Sequence, residues 1–314
     1  MEIFRQSRAY GAVAEDAAAG TLSHAYLLLC PDAKNLRSFL KELAACIACA
    51  GMNETGRARA ARLIAAERYA DCRVFPAEGE RCGVDEVRSL LADCIVKPVE
   101  APRKVFVLDA VQNMLEAAQN KLLKVLEEPP ENVHFVLGAK SAAAVLPTVL
   151  SRVKKLELLA FPAEAIERYL QQAFPSREGC HEAALLSGGV LGRAEELLAE
   201  GGGMLEAAAE MALTLSPAGI PAMARSVSGR AQAAALLEAL RLVFRDMLML
   251  RLGRGELLTG GKAAEAVRRA APRYTVAGLL AAEDAVGRAE RSLRGNAQPV
   301  ICLETLLYGI LEGR

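Results

Sequence analysis

The sequence has no tryptophan, few other aromatic residues and no net charge. Aromatic residues make up 4% of the 314 residues, and 38 Lys and Arg balance 38 Asp and Glu. Scarce aromatics disfavour a platform that stacks nucleic-acid bases. A balanced charge disfavours a histone-like or polybasic protein, although a local basic patch could still exist. What remains is a globular composition rich in Ala and Leu, which is typical of a mostly helical protein.

Long hydrophobic runs are also missing. No uninterrupted apolar stretch reaches the ~18 residues that suggest a transmembrane helix. Residues 1–16 carry charges where a signal peptide has its apolar run. We therefore expect a cytoplasmic protein without a membrane partner, whose eight cysteines are thiols because reducing compartments disfavour disulfides.

The first half of the chain alternates short apolar runs with helical patterns. Strands are predicted at 25–30, 104–109, 134–139 and 154–159, and helices at 34–50, 84–95 and 113–126. This alternation is typical of parallel βαβ units with both faces of the sheet covered. The first half is thus predicted to be an α/β domain.

The second half contains no convincing strand. Helices are predicted at 163–173, 180–200, 204–214, 230–251, 262–270, 275–293 and 298–312. Three consecutive glycines at 201–203 form a flexible break. We therefore predict three domains: an α/β domain at 1–160, a small helical domain at 161–202 and a C-terminal helical domain at 203–314.

The segment after the first strand lies where a nucleotide-binding α/β protein has its phosphate loop. That loop needs glycines, so that backbone N–H groups can surround phosphate, and a lysine that reaches the terminal phosphates. Here the corresponding positions hold Cys30, Ala33, Asn35, Leu36 and Arg37. These residues favour an ordinary turn between strand and helix over a phosphate site.

Two further elements of an ATP-hydrolysing site are incomplete. Asp109 ends the second predicted strand, where a Walker B aspartate would bind Mg²⁺, but Ala110 follows it in place of a general base. The next strand ends in Gly138 and Ala139, with no polar side chain to sense a γ-phosphate. Together with the loop, these losses predict a nucleotide-binding fold that is preserved but no longer hydrolyses ATP.

Two motifs follow in a characteristic order. Residues 120–130 read NKLLKVLEEPP, an amphipathic helix closed by two prolines, and residues 146–152 read LPTVLSR. With 23–27 (SHAYL) and 84–88 (VDEVR), they resemble the AAA+ subunits of the bacterial DNA polymerase III clamp loader. Among these subunits, the delta-prime family is the most similar. The resemblance is dense over about 3–159 and thin over 206–290.

The resemblance implies a fold, an activity and a site. The fold is an AAA+ α/β domain with a RecA-like parallel sheet, followed by two all-α domains. Delta-prime subunits have a degenerate phosphate loop and do not hydrolyse ATP, so neither intrinsic ATPase activity nor a cofactor is expected. They also carry a Ser-Arg-Cys motif whose arginine reaches the ATP site of a neighbouring subunit. The matching residues are Ser151, as support, and Arg152, as the arginine finger, with Val153 replacing the cysteine.

Partners are implied in the same way. The family assembles with the gamma/tau ATPase subunits and the delta subunit through a C-terminal collar, and the assembly loads a sliding clamp on primed DNA. One alternative is a divergent ATPase of the same fold, which predicts nucleotide binding by the isolated chain. Another is an AAA+-derived scaffold or DNA-binding protein outside replication.

A zinc site common in the family is not expected here. If Cys49 is its first ligand, the other three positions fall on Ala58, Ala61 and Ile64. Because structural zinc needs four N or S ligands, we expect no metal. The same segment carries Arg57, Arg59 and Arg62, which are expected to form an exposed helical face.

Overall fold

The computed structural model describes residues 1–77, 82–259 and 263–314. These residues form two compact units. The first contains Met1–Tyr169 and Gly189–Arg193, and the second contains Leu170–Gly188 and Ala194–Arg314. The division into three domains at 160 and 202 stays a prediction.

The first unit is built on a parallel sheet with helices in its connections. Its strands are β1 (Ala25–Leu29), β2 (Cys72–Phe75), β3 (Lys104–Leu108), β4 (Val133–Ala139) and β5 (Lys154–Glu157). Its helices are α1 (Glu2–Arg5), α2 (Arg8–Ala19), α3 (Leu36–Ala48), α4 (Glu54–Ala65), α5 (Val84–Cys94), α6 (Glu116–Glu127) and α7 (Pro147–Leu150). Two short 3-10 segments, Val111–Asn113 and Ala142–Ala144, follow β3 and β4.

The sheet order is β2-β3-β4-β1-β5, and every pairing is parallel. All residues of β3 and β4 are buried, as expected for parallel strands covered on both faces. The loops that follow β1 and β3 therefore start at the same edge of the sheet. In open α/β sheets this edge, at the carboxyl ends of the strands, is where ligands bind.

The rest of the described chain is helical. The helices are α8 (Ala163–Ala173), α9 (Cys180–Leu186), α10 (Leu191–Glu200), α11 (Met204–Thr214), α12 (Ile220–Arg225), α13 (Arg230–Arg251), α14 (Ala263–Ala270), α15 (Val276–Arg294) and α16 (Pro299–Glu312). Short 3-10 segments lie at Gly255–Leu257 and Ala271–Arg273. The second unit has its own core, in which Leu237, Phe244 and Tyr274 are almost completely buried. The predicted fold class, an α/β sheet domain followed by helices, is confirmed.

Several boundaries differ from the prediction. The predicted helix 180–200 is wrong: it is two helices, because Gly188 and Gly189 adopt φ values of +61° and +81°, which L side chains rarely adopt. A Cβ at Gly189 would also lie 2.6 Å from that of Ala160. Lys262, the first residue of the predicted helix 262–270, lies outside the described residues.

Several elements were not predicted from the sequence, among them β2, α2 and α12. Strand β2 has only four residues and lies at an edge of the sheet. Helix α2 begins with a side-chain cap, in which the Tyr10 N–H donates to Ser7 Oγ at 3.2 Å. Helix α12 follows Ser216 and Pro217 in the sequence and accommodates Pro221 in its first turn. Helix α4 places Arg57, Arg59 and Arg62 on its exposed side, as expected.

Candidate functional site

The loop between β1 and α3 is organised by an acidic side chain. Asp32 is 4% exposed. Its carboxylate accepts hydrogen bonds from the Asn35 backbone N–H and the Asn35 amide, both at 3.1 Å. It also accepts the Gly192 N–H at 2.8 Å. A phosphate loop uses backbone N–H groups to hold phosphate oxygens, whereas here the Asp32 carboxylate accepts the loop N–H of Asn35.

Gly192 allows this approach. A Cβ at this position would overlap Asp32 Oδ1 and lie 2.9 Å from Lys34 Cβ. The glycine is thus required because the Asp32 carboxylate sits against the backbone of residue 192.

Two other positions of the predicted degenerate loop, Cys30 and Leu36, are also buried in the protein. Cys30 is fully buried, and burial raises the pKa of its thiol to about 12, so the sulfur stays protonated. Leu36, where a phosphate loop has its lysine, is 2% exposed. It packs against β4, where a Cβ on Gly138 would lie 3.0 Å from Leu36 Cδ1. Ala33 is exposed and offers no polar side chain.

Arg37 occupies the centre of an ionic cluster next to this loop. Its Nε and Nη2 donate to the two carboxylate oxygens of Glu67 at 2.7 and 2.6 Å. Its Nη1 donates to the Pro76 carbonyl at 3.0 Å and lies 3.7 Å from Asp109 Oδ2. Lys41 adds a second cation, 3.2 Å from Glu67 Oε1. The Arg37 side chain is only 15% exposed, so its charge is committed to these partners.

The two carboxylates of the cluster respond differently to their surroundings. The hydrogen bond from Arg37 lowers the pKa of Glu67. Burial raises the pKa of Asp109, because the loss of solvation outweighs the attraction of Arg37. Asp109 thus lies where a Walker B aspartate is expected, but a guanidinium of the same chain is the cation beside it.

Ser151 and Arg152 lie at the end of the short helix α7. Ser151 Oγ and Arg152 Nη1 both donate to the Thr148 carbonyl, at 3.0 and 2.8 Å. Arg152 Nη1 also donates to Ser151 Oγ at 3.0 Å, so the serine helps to orient the arginine. Arg152 Nη2 donates to Glu127 Oε1, at the end of α6. The Arg152 side chain remains 32% exposed.

Val153 replaces the family cysteine, and it packs against the hydrophobic core around the sheet. This placement suits a position whose role is packing. The prediction that Ser151 and Arg152 form the functional site stays a prediction, since their geometry alone does not define the recipient of the arginine.

Gln119 is a residue that the sequence reasoning missed. It is 4% exposed. Its amide donates to the carbonyls of Val111 and Met114, both at 3.4 Å, and its Oε1 accepts the Leu146 N–H at 3.1 Å. It therefore links the loop after β3 to the residue that precedes α7. The available signal was a polar residue one turn before Leu122 on the buried stripe of α6.

The cysteines were predicted to be thiols, and all eight are. Among the described residues, no group of three or more His, Cys, Asp or Glu side chains could hold a metal ion. No helix of the described ranges is long and apolar enough to cross a membrane.

The parallel sheet with helices in its connections defines an α/β protein, and the degenerate loop and Asp109 lie at the carboxyl ends of β1 and β3. A family model described as "DNA polymerase III, delta subunit" matches residues 5–162. The chain belongs to this family of DNA polymerase III clamp-loader subunits and is delta-prime-like, as the resemblance predicted.

Individual relatives agree with this assignment. The chain is 32% identical over 186 residues to the DNA polymerase III delta' subunit of Pseudomonas aeruginosa and 31% identical over 160 residues to that of Haemophilus influenzae. It is 30% identical over 198 residues to the tau subunit of Escherichia coli. These matches cover 57%, 50% and 62% of this chain and 57%, 49% and 30% of the respective relatives. The chain thus spans less than two thirds of the length of each relative.

Among solved structures, a DNA polymerase III gamma-subunit-related protein from Thermotoga maritima is similar, with a TM-score of 0.43 and 17% identity. The alignment covers 96% of this chain and 99% of that one.

Proposed function

We propose that this chain is a non-hydrolysing delta-prime subunit of a clamp loader that supplies Arg152 to the ATP site of a neighbouring subunit. Its partners are the gamma/tau ATPase subunits and the delta subunit, and the assembly loads a sliding clamp on primed DNA. Its place of work is the cytoplasm. The observation that carries this proposal is the Arg37 cluster, because a fixed guanidinium lies beside Asp109, where a nucleotide-binding protein needs Mg²⁺.

The loop supports the same conclusion. Asp32 accepts the backbone N–H of Asn35 in the loop, and Leu36 replaces the phosphate-binding lysine with a buried apolar side chain. ATP and Mg²⁺ do not fit this set of residues, because a triphosphate would meet the Asp32 carboxylate and lack a lysine partner.

Arg152 differs because its side chain is still partly exposed. A guanidinium supplied in trans stabilises the charge that develops during phosphoryl transfer, and this is worth ~10³–10⁵ in rate in known cases. The fork of N–H donors suits phosphate oxygens, whereas a lysine offers only a point charge.

A surface feature of the second unit supports a collar role for 203–314. A groove of about 630 Å³ lies between α15 and α16. Ile301 and Tyr308, at its edge on α16, are 58% and 42% exposed. Exposed apolar side chains beside a groove suit a helical partner surface, which supports a collar role for 203–314. The domains at 1–160, 161–202 and 203–314 remain part of the proposal.

Reconstitution with the ATPase and delta subunits tests the proposal. We expect Arg152→Ala to leave assembly intact, as measured by size-exclusion chromatography. Clamp- and DNA-stimulated ATP turnover at the site it serves should fall by ~10³ or more. Lys155→Ala, which removes an exposed positive charge three residues away, is the matched control and should retain turnover. Wild-type turnover in the Arg152→Ala assembly would remove the arginine from this role.

A further inference from the structure

The guanidinium of Arg152 already has an anionic partner in its own chain. Glu127, the last residue of α6, accepts a hydrogen bond from Arg152 Nη2 through Oε1. This ion pair is not required by the core, since the Glu127 side chain is 50% exposed. Its position at the tip of the guanidinium suggests a functional reason for the pair.

The other contacts of Arg152 with the described residues are neutral. Nη1 donates hydrogen bonds to the Thr148 carbonyl and the Ser151 hydroxyl. Nε is buried and has no hydrogen-bond partner among the described residues. Glu127 is therefore the negatively charged group that holds the outer edge of the guanidinium.

A carboxylate and a phosphate make the same kind of contact with arginine. Both accept charge-assisted hydrogen bonds from the planar N–H fork. An Nη2 edge that points at Glu127 cannot at the same time present its full fork to a nucleotide. The neighbour's nucleotide therefore has to compete with Glu127 for this edge.

We propose that Glu127 is a positioning residue that stands in for the nucleotide phosphate and is displaced when Arg152 engages the neighbour's ATP. This inference rests on the proposed trans role of Arg152. Glu127 keeps the arginine extended along the α6–α7 surface before assembly, and its release accompanies nucleotide engagement. The pair thus acts against nucleotide binding in the assembled complex.

The exposure of both side chains limits the size of the effect. Exposed ion pairs contribute little because water screens them and both side chains lose freedom. With Arg152 at 32% and Glu127 at 50% exposure, we expect Glu127 to change the nucleotide affinity of the neighbouring site by about twofold to fivefold.

The first experiment examines the pair in the isolated chain. Arginine side-chain NMR is recorded for the wild type, Glu127→Gln and the matched control Glu128→Gln, with the Arg152 signals identified by their loss in Arg152→Lys. Glu127→Gln should shift the Arg152 Nη resonances and quicken rotation of the guanidinium, whereas Glu128→Gln should not. Identical Arg152 signals in the wild type and Glu127→Gln would show that no pair exists to be displaced.

The second experiment measures ATP dependence in the reconstituted assembly. Glu127→Gln should lower the ATP concentration for half-maximal turnover by about twofold to fivefold at unchanged maximal turnover, and Glu128→Gln should match the wild type. A merely structural role of Glu127 would not lower the half-saturating ATP concentration while leaving the maximal turnover unchanged. A lower maximal turnover, or an unchanged half-saturating concentration, overturns the proposal.

The two hypotheses fail separately. If Arg152→Ala retains turnover, the trans role itself fails. If Arg152→Ala loses turnover and Glu127→Gln behaves as Glu128→Gln does, the trans role stands and only the displacement by nucleotide is wrong.

Discussion

Two arginines of the first unit show opposite uses of the same side chain. Arg37 is 15% exposed and is bound by Glu67, Asp109 and the Pro76 carbonyl. Arg152 is 32% exposed, and its acidic partner Glu127 is half exposed. A buried guanidinium with several partners stabilises its own chain, whereas a partly exposed guanidinium can still contact another molecule. The two residues should therefore respond differently to substitution.

The largest effect on stability should come from restoring a lysine at the old phosphate-binding position. Leu36→Lys places an ammonium group at a site that is 2% exposed and packed against β4. We expect a loss of about 3 kcal/mol or more in the free energy of unfolding, because the charge has no partner there. Urea denaturation measures this loss, and Leu36→Met, which conserves volume, should cost less than ~1.5 kcal/mol. Equal stability of the lysine variant and the wild type would mean that position 36 still opens to a phosphate site.

Removal of Arg37 should have the next largest effect. Arg37→Ala leaves Glu67 and Asp109 without their main cation. We expect a loss of about 2 kcal/mol in unfolding free energy, reduced from the value for fully buried pairs by the partial exposure of the cluster. Chemical denaturation of the isolated chain provides the measurement. A loss below ~0.5 kcal/mol would remove the contrast with Arg152.

The pH dependence of the Arg37 cluster provides a third test. Because Arg37 lowers the pKa of Glu67 in the folded state, this pair contributes stability above the unfolded pKa of glutamate, near ~4.3. That contribution is lost as pH falls through the lower folded pKa. Glu67→Gln should thus be less stable than the wild type at pH 7, by about 1 kcal/mol, and the difference should shrink below pH ~4. Denaturation at both pH values checks this, and a difference that grows in acid contradicts it.

The smallest effect on stability is expected for Arg152. Arg152→Ala removes an exposed ion pair and should change the unfolding free energy by less than ~1 kcal/mol. The same denaturation series provides this value beside that of Arg37→Ala. If Arg152→Ala proves the more destabilising of the two, Arg152 has a structural role, and its loss of function in an assembly could not be assigned to the neighbour's ATP.

Much of the first unit could be predicted from sequence because its signals are local. Strands β1, β3 and β4 lie in mostly apolar runs, and Pro129 and Pro130 mark the end of α6. Strand β2 was not predicted because it has only four residues, of which only the first and the last are buried. The break at Gly188 and Gly189 was visible as a glycine pair, but only the backbone shows that it separates two helices.

The candidate site was predictable only in part. The positions of the degenerate loop and of Arg152 could be found because each lies in a motif of consecutive residues. The partners of Arg37 come from residues 67, 76 and 109, and Asp32 meets Gly192 across the fold. Such contacts depend on the tertiary arrangement, which spacing along the chain does not encode.

Calorimetric titration of the isolated chain with Mg-ATP tests the central claim most directly. The account predicts no detectable heat of binding at millimolar nucleotide, because Asp32, Leu36 and Arg37 fill the positions that phosphate and metal would need. Binding at micromolar nucleotide, with turnover in the absence of partners, would contradict it and favour a divergent ATPase.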